Sequence, residues 1–218
     1  MIKVYYANIE LLRDEGECKI WFKKMQPLRK EKILRCKQEQ DKKRSLLAGI
    51  LLKHALEQEG LCYENLVFEV QKHGKMVLKS PGGYEFSLSH AGNYALCCIS
   101  SRIVGADIET KERLLFKENA KGRLDAMAKK VLCPGEYEFF LKAKAEEKAE
   151  LFLKYWCRKE SYSKALGTGL QMDFSKIDTE EMDFCFWSDW LDENCFFSIY
   201  AEDELTDIEI YHIKEFKS

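Results

Sequence analysis

Val104-Gly105-Ala106-Asp107-Ile108-Glu109 lies near the middle of the chain and places two carboxylates in an apolar run. Its small and β-branched residues predict the end of a short buried strand. Side chains two residues apart project from the same face of a strand, so we expect Asp107 and Glu109 to lie side by side. Like charges held together repel, and a divalent cation bound between their oxygens relieves that repulsion. The alternative is a strand edge that runs into a polar turn.

Composition restricts the kind of protein around this stretch. The 218 residues permit one large domain or two small ones, and 46% hydrophobic residues suffice for a core. A net charge of -2 means that any anion site needs a local basic cluster. The nine cysteines form no CxxC pair and no metal array with histidine, so we expect free thiols in the cytoplasm. We expect neither a signal peptide nor a membrane span, since no apolar run is long enough to cross a bilayer.

The first half of the chain offers a basic helical segment. After a strand over residues 2–9, apolar residues from Pro27 to Gly60 recur at helical spacing, and these two residues suit a helix start and a helix end. Eight basic residues lie along it: Arg29, Lys30, Lys32, Arg35, Lys37, Lys42, Lys43 and Arg44. They form either a solvated helix face, the usual role of such residues, or an anion-binding patch.

A serine-rich segment, Ser87-Leu88-Ser89-His90-Ala91-Gly92, precedes the central stretch. Alternation of apolar residues with serine predicts a strand that runs out into a loop at Ser89-His90, between strands over 66–70 and 94–100. Serine beside histidine invites a hydrolase interpretation, but the GxSxG elbow of such enzymes is missing from this sequence.

The second half repeats the order of elements of the first. Helices are predicted over 120–132, 135–143 and 147–166, with Gly167 and Gly169 ending the last one, and strands over 184–187, 195–200 and 208–213. A seam near Ser101-Arg102 therefore divides the chain into residues 1–101 and 102–218, a weak indication of an internal α+β repeat.

The longest helix carries Trp156-Cys157-Arg158-Lys159-Glu160-Ser161-Tyr162-Ser163-Lys164. Glu160 and Lys164 are four residues apart and share a helix face. Alone, they could be an ordinary helix-stabilising ion pair worth a few tenths of a kcal/mol. Considered together with Asp107 and Glu109, however, Glu160 could be a third carboxylate of the same site and Lys164 a cation beside it.

Together these motifs resemble the signature of the Sfp-type 4'-phosphopantetheinyl transferases. That family has a (V/I)GxDxE strand and a W-(S/C/T)-x-K-E-(S/A)-x-x-K helix, similar to residues 104–109 and 156–164 here. Residues 87–92 resemble its S-x-S-H-x-G segment, and Gly74-Lys75 its G-(K/R)-P turn, in which Met76 replaces the usual proline. Order and spacing agree across most of the chain, and its length matches members with two subdomains.

The resemblance implies an α+β fold of two pseudo-symmetric subdomains with coenzyme A between them. Residues 1–101 would form the coenzyme A-binding subdomain, and 102–218 the subdomain with the metal-binding carboxylates and the long helix. The implied reaction transfers the 4'-phosphopantetheine arm of coenzyme A to a serine of an apo acyl or peptidyl carrier protein, depends on Mg²⁺, and releases adenosine 3',5'-bisphosphate.

The resemblance also implies roles for individual residues. Mg²⁺ would be held by Asp107, Glu109 and Glu160, because that ion prefers carboxylates together with substrate phosphate. Glu160, directly or through a metal-bound water, is expected to take the serine proton, and Lys164 to hold the pyrophosphate. With Asp107, these two form the expected catalytic set. The expected coenzyme A contacts are Arg29, Lys32, Arg44, Lys75, Ser89, His90 and Lys164.

Further expectations concern the surroundings of the site. Glu136 is expected to be structural. Leu114, Leu115 and Phe116, rimmed by Lys111, Arg113 and Lys117, either tuck into the core or anchor an acidic carrier protein. We expect a cytoplasmic monomer of secondary metabolism that binds neither nucleic acid nor membranes. Two other functions stay open: a non-catalytic coenzyme A or carrier-protein binding module, and a metal-dependent phosphohydrolase. The carrier's pathway, whether fatty acid, polyketide, nonribosomal peptide or lysine synthesis, is also open.

Overall fold

Two β-sheets lie face to face, and each carries a long helix on its outer side. The computed structural model describes residues 1–79, 83–112 and 120–216. Its strands are β1 (Ile2–Asn8), β2 (Phe68–Val70), β3 (Met76–Leu78), β4 (Glu85–Ala91), β5 (Tyr94–Ser100), β6 (Val104–Thr110), β7 (Phe186–Trp190), β8 (Cys195–Ala201) and β9 (Ile208–His212). Its helices are α1 (Glu15–Lys23), α2 (Pro27–Leu34), α3 (Glu39–Gln58), α4 (Ala120–Val131), α5 (Pro134–Lys142) and α6 (Lys148–Leu166).

The alternation of side chains along the strands produces these layers. The first sheet has the strand order β4-β5-β1-β9, and the second has the order β6-β8-β7. On β1, Ile2 and Val4 pack against β6 and β8 of the second sheet, whereas Tyr5 and Ala7 pack against α3. The opposite face of the second sheet supports α6. The predicted α+β class is therefore confirmed.

The central stretch lies in a short buried strand, as the sequence predicts, and this strand ends one residue after Glu109. β6 continues to Thr110 because it pairs with β8 over its whole length, from Val104 opposite Ala201 to Thr110 opposite Cys195. Every residue of β6 is buried. The two carboxylates thus project from a strand whose backbone is paired along its whole length.

The serine-rich segment is strand as far as Ala91, which corrects the predicted loop at Ser89-His90. β4 extends to Ala91 because it pairs with β5 as far as Tyr94, and the chain reverses at Gly92, whose φ is +53°. Ser89 and His90 consequently point to opposite faces of a strand.

The basic segment forms two helices instead of one, and α1 before it was not predicted. Pro27 begins α2, but the helix ends at Leu34, and α3 runs from Glu39 to Gln58. The break allows Arg29 of α2 to turn its guanidinium under α3, where it donates to the carbonyl and hydroxyl oxygens of Ser45. A Cβ on Gly49 would lie 3.1 Å from Arg29 Cγ, so a glycine there leaves room for this close approach.

The last strand crosses back to the first half of the chain. β9 pairs in parallel with β1, Ile2 lying opposite Ile208 and Tyr6 opposite His212. The predicted boundary near Ser101-Arg102 stays a prediction. None of the described helices has the length and apolar character needed to cross a bilayer.

Candidate active site

Gly105 brings helix α6 directly onto strand β6. A Cβ at this position would lie 1.9 Å from the carbonyl oxygen of Ser161 and 2.6 Å from the backbone nitrogen of Ala165. No side chain fits in that space, so only glycine permits the contact. The close packing sets Glu160 and Lys164 of α6 over the carboxylates of β6.

Asp107, Ser89 and Lys164 form a compact hydrogen-bonded cluster. Lys164 Nζ lies 2.6 Å from Asp107 Oδ1 and 2.8 Å from Ser89 Oγ, to both of which it donates. Ser89 Oγ in turn donates to Asp107 Oδ1 at 2.9 Å. Lys164 therefore offsets part of the repulsion expected between the acids.

One cavity of about 450 Å³ is lined by all three predicted metal ligands, Asp107, Glu109 and Glu160. Within the described part of the chain, Asp107 Oδ2 is buried and has no hydrogen-bond partner. A buried oxygen without a partner is costly, and a divalent cation is one group that would satisfy it. The donor set is made of oxygens only, which is what Mg²⁺ prefers. These residues fit the implied ion.

The same cavity is lined by Arg29, Lys32 and His90. Arg29 is 1% exposed, and its Nε and Nη1 atoms have no partner among the described residues. Burial lowers the pKa of Arg29 to about 10, which leaves it charged at neutral pH. A buried cation with two unsatisfied donors favours a bound anion.

His90 is partly buried beside these cations. Burial, and to a smaller extent the charges of four neighbouring cations, together lower the pKa of His90 to about 4. These cations are Arg29, Arg44, Lys164 and Lys32. The imidazole is therefore neutral at pH 7 in the free protein, and a bound phosphate would favour its protonation.

Lys75 and Arg44 stand apart from the other predicted coenzyme A contacts. Lys75 lines a smaller adjoining cavity of about 180 Å³, and its Nζ donates to the Ala165 carbonyl at 2.8 Å. Arg44 contributes no lining to either cavity; its Nη1 donates to the Gly92 carbonyl at 2.7 Å and its Nη2 pairs with Asp41 at 2.5 Å. The positive charge of Arg44 nevertheless contributes to lowering the pKa of His90.

Glu136 lies in a buried network away from the cavity. Its Oε2 is 2.7 Å from Lys159 Nζ and accepts from the backbone nitrogen of Cys133, and its Oε1 accepts from the backbone and hydroxyl of Thr179. Lys159 also donates to the carbonyls of Phe174 and Ile177. All these contacts join structural elements, in line with the structural role expected for Glu136.

Sequence reasoning assigned no role to several residues of the cavity. Leu88, Ile108 and Trp156 line it and give it apolar walls. Trp156 belongs to the helix motif quoted above. Its ring stacks on that of Phe152, with 6.1 Å between the ring centroids. The isolated Gly49 inside a helical pattern was the available signal for the burial of Arg29. The predicted docking triplet, Leu114 to Phe116, lies outside the described residues.

Comparison with known proteins agrees with this geometry. The profile described as "4'-phosphopantetheinyl transferase superfamily" matches residues 103–214, and "4'-phosphopantetheinyl transferase, N-terminal" matches 13–102. A "4'-phosphopantetheinyl transferase" of Bacillus subtilis is 26% identical over 93% of this chain and 88% of its own. "4'-phosphopantetheinyl transferase Sfp" of Bacillus subtilis strain 168 is 26% identical over 78% and 73%, respectively.

"4'-phosphopantetheinyl transferase HetI" of Nostoc sp. strain PCC 7120 is 32% identical over 58% of this chain and 49% of its own. The first of the two profiles alone covers more than half of the chain and includes every proposed metal ligand. The chain therefore belongs to the 4'-phosphopantetheinyl transferase superfamily and is an enzyme of that class.

Proposed function

We propose that this enzyme transfers the 4'-phosphopantetheine arm of coenzyme A to a carrier-protein serine in a Mg²⁺-dependent reaction. The observation that supports it best is one cavity lined both by three carboxylates and by the buried, incompletely bonded Arg29. Coenzyme A carries a 3'-phosphate and a pyrophosphate, so it needs a cationic contact for the first and charge neutralisation at the second.

Asp107, Glu109 and Glu160 would hold the metal ion, which when bound supplies positive charge to the pyrophosphate oxygens. Lys164 has three ammonium hydrogens, and Asp107 and Ser89 take two of them. The third is available to a phosphate oxygen of the substrate. Lys164 thereby positions the pyrophosphate beside Asp107.

The reaction is a substitution at phosphorus. The serine oxygen forms a bond to the phosphorus that carries the pantetheine arm, and the bond from this phosphorus to the bridging oxygen breaks. Adenosine 3',5'-bisphosphate leaves with that oxygen, and Glu160 accepts the serine proton. Because charge builds up on the phosphate oxygens, positioning and electrostatic stabilisation by the chain account for most of the catalysis.

Arg29, Lys32 and His90 are proposed to bind the 3'-phosphate, with Arg44 adding to the local positive charge. Arg29 presents Nε and Nη1 in a fixed position, because Nη2 is anchored on Ser45. Lys75, in the adjoining cavity, is proposed to contact the nucleotide as well. Ser89 would take part through the cluster that it forms with Asp107.

A single incubation separates this proposal from its two alternatives. Coenzyme A is mixed with the enzyme and Mg²⁺, with and without an apo carrier protein, and both products are analysed by mass spectrometry. A carrier that gains one phosphopantetheine, and does not gain it in EDTA, supports the proposal. Cleavage of coenzyme A without a carrier indicates a phosphohydrolase, and binding without any chemistry indicates a non-catalytic module. Full transfer in EDTA contradicts the Mg²⁺ requirement.

The cysteines indicate the compartment in which the enzyme works. Nine free cysteines, six of them buried, agree with a reducing cytoplasm. We expect a monomer that acts on an acyl or peptidyl carrier of secondary metabolism. Steady-state kinetics on carriers from fatty acid, polyketide, nonribosomal peptide and lysine synthesis would identify the preferred one, and size-exclusion chromatography the oligomeric state.

A further inference from the structure

Strands β4 and β6 run beside each other at the edges of two different sheets. β4 ends the first sheet, and β6 ends the second. On its other side β6 pairs with β8 in an antiparallel ladder, in which only every second residue of a strand exchanges backbone hydrogen bonds with its partner. The N–H groups of the alternate residues point away from β8, and they need another acceptor.

Two serine hydroxyls of β4 supply that acceptor. Ser87 Oγ accepts from the backbone nitrogen of Ala106 at 2.9 Å, and Ser89 Oγ accepts from that of Ile108 at 3.3 Å. The serines and their partners are each two residues apart, so one face of β4 matches one edge of β6. The serine hydroxyls therefore accept the backbone hydrogen bonds that the carbonyl groups of a neighbouring strand would accept inside a sheet.

The two serines differ in what they do next. Ser89 donates its hydroxyl hydrogen to Asp107 Oδ1 and belongs to the cluster already described. Ser87 returns its hydrogen towards the Ala106 carbonyl at 3.5 Å and is 6% exposed. Its hydrogen bonds therefore fix the backbone of Ala106, which directly precedes Asp107.

We propose that Ser87 is a positioning residue that holds strand β6 in register on β4 and thereby aims the Asp107 carboxylate into the cavity. This inference rests on the proposed function. The consequence is specific: His90 projects from β4 and Asp107 from β6, so the Ser87 contact joins the strand of the anion site to the strand of the metal site. Ser87 contributes no lining to the cavity that the three carboxylates share, but it lines the smaller adjoining cavity together with Lys75.

The test replaces Ser87 by Ala and measures Mn²⁺ binding by electron paramagnetic resonance, besides kcat and KM of the transferase. Mn²⁺ serves as the probe because it prefers the same oxygen ligands as Mg²⁺. We expect Mn²⁺ affinity and kcat each to fall about tenfold, as for other groups that orient a metal ligand. The KM for coenzyme A is expected to change less than the Mn²⁺ affinity, because Ser87 lines the adjoining cavity only with its small side chain, and Arg29, Lys32 and His90 are untouched.

A matched control and a rescue variant separate positioning from plain destabilisation. Ser100 of β5 is 2% exposed, and its hydroxyl accepts from the backbone nitrogen of Arg102 at 3.1 Å. Ser100→Ala should therefore lower the melting temperature without changing Mn²⁺ affinity or kcat. Ser87→Thr keeps the hydroxyl and should restore both. If Ser87→Ala does not fold, Ser87→Cys fills the space with a slightly larger side chain and a weaker acceptor, and it should show a smaller defect of the same kind.

Either of two results overturns the inference. In the first, Ser87→Ala loses stability but keeps its Mn²⁺ affinity and kcat. In the second, Ser100→Ala loses Mn²⁺ affinity as much as Ser87→Ala does. Failure of the proposed function looks different. In that case the wild-type enzyme transfers nothing to any carrier, whereas Mn²⁺ binding still depends on the Ser87 hydroxyl.

Discussion

Lys159 and Glu136 form an ion pair of 2.7 Å in which neither side chain is exposed to solvent. Each partner also makes further hydrogen bonds, so the pair is fully satisfied. Charges at such depth are costly unless every bond is made. Because Lys159 directly precedes Glu160, this network fixes the turn of α6 from which the third carboxylate projects.

Glu136→Gln removes one charge and leaves the Lys159 ammonium buried without its counterion. We expect the free energy of unfolding to fall by about 3–5 kcal/mol, measured by urea denaturation. Glu138→Gln is the control on the same helix. Glu138 pairs with Lys142 at 2.6 Å, but both side chains are exposed to solvent, so this change should alter the free energy of unfolding very little. Equal effects of the two changes would show that burial of the pair has no special importance.

Gly105→Ala places a methyl group in the space occupied by the backbone of α6. The helix must move away from β6, so we expect a loss of about 3 kcal/mol or more in unfolding free energy together with loss of transfer. Gly122→Ala is the control. Among the described residues, no atom other than those of its chain neighbours and of its own helix backbone lies within 4 Å of an added Cβ, and alanine favours helix by about 0.5–1 kcal/mol. Normal activity of Gly105→Ala would contradict the close contact.

Asp107→Asn keeps the shape of the side chain but removes its charge. We expect transfer to fall on the order of 100-fold or more, because the metal and Lys164 both lose their counter-charge. Since Lys164 already offsets the charge of Asp107, the melting temperature should change little in either direction. Asp203→Asn, at an exposed pair with Arg102, controls for charge removal in general. Transfer that stays normal in Asp107→Asn would remove this residue from the metal site.

His90 should make the stability of the enzyme depend on pH. Its pKa in the folded protein, about 4, lies below the ordinary value of 6.5, so the unfolded chain takes up the proton first. The stabilisation from neutral His90 is complete above pH 6.5 and is lost as the pH falls from 6.5 towards about 4. Urea denaturation across this window should show a loss that is reduced in His90→Gln and persists in full in the exposed control His73→Gln. The part that remains in His90→Gln includes His54, whose pKa is also lowered by burial. The same pH dependence in His90→Gln would assign it to other groups.

His90→Ala should also change the preference between coenzyme A and its dephospho form. If His90 contacts the 3'-phosphate, calorimetry should show a marked loss of affinity for coenzyme A and a much smaller one for dephospho-coenzyme A. Equal losses for both ligands would place His90 elsewhere in the site.

The parts that could be predicted depend on short spacings. Asp107 and Glu109 are two apart on a strand, and Glu160 and Lys164 are four apart on a helix, so local periodicity alone predicted which side chains face together. The order of these motifs led to the family, which the comparisons confirm. The roles of the individual site residues stay predictions.

The parts that could not be predicted depend on contacts between distant segments. The sequence leaves open whether Arg29 is solvated or part of an anion patch, and only the fold shows that Ser45 and Gly49 of another helix enclose it. Glu136 and Lys159 are 23 residues apart with no pattern to link them. The strand through His90 extends beyond its expected end because β5 pairs with it, which is a tertiary effect.

The parallel pairing of β9 with β1 has a consequence for synthesis on the ribosome. Residues 2–6 are translated long before their sheet neighbours at 208–212. Until then one edge of β1 is open, and an open edge can pair with a strand of another molecule. The nascent enzyme is therefore open to such pairing until residues 208–212 have been made.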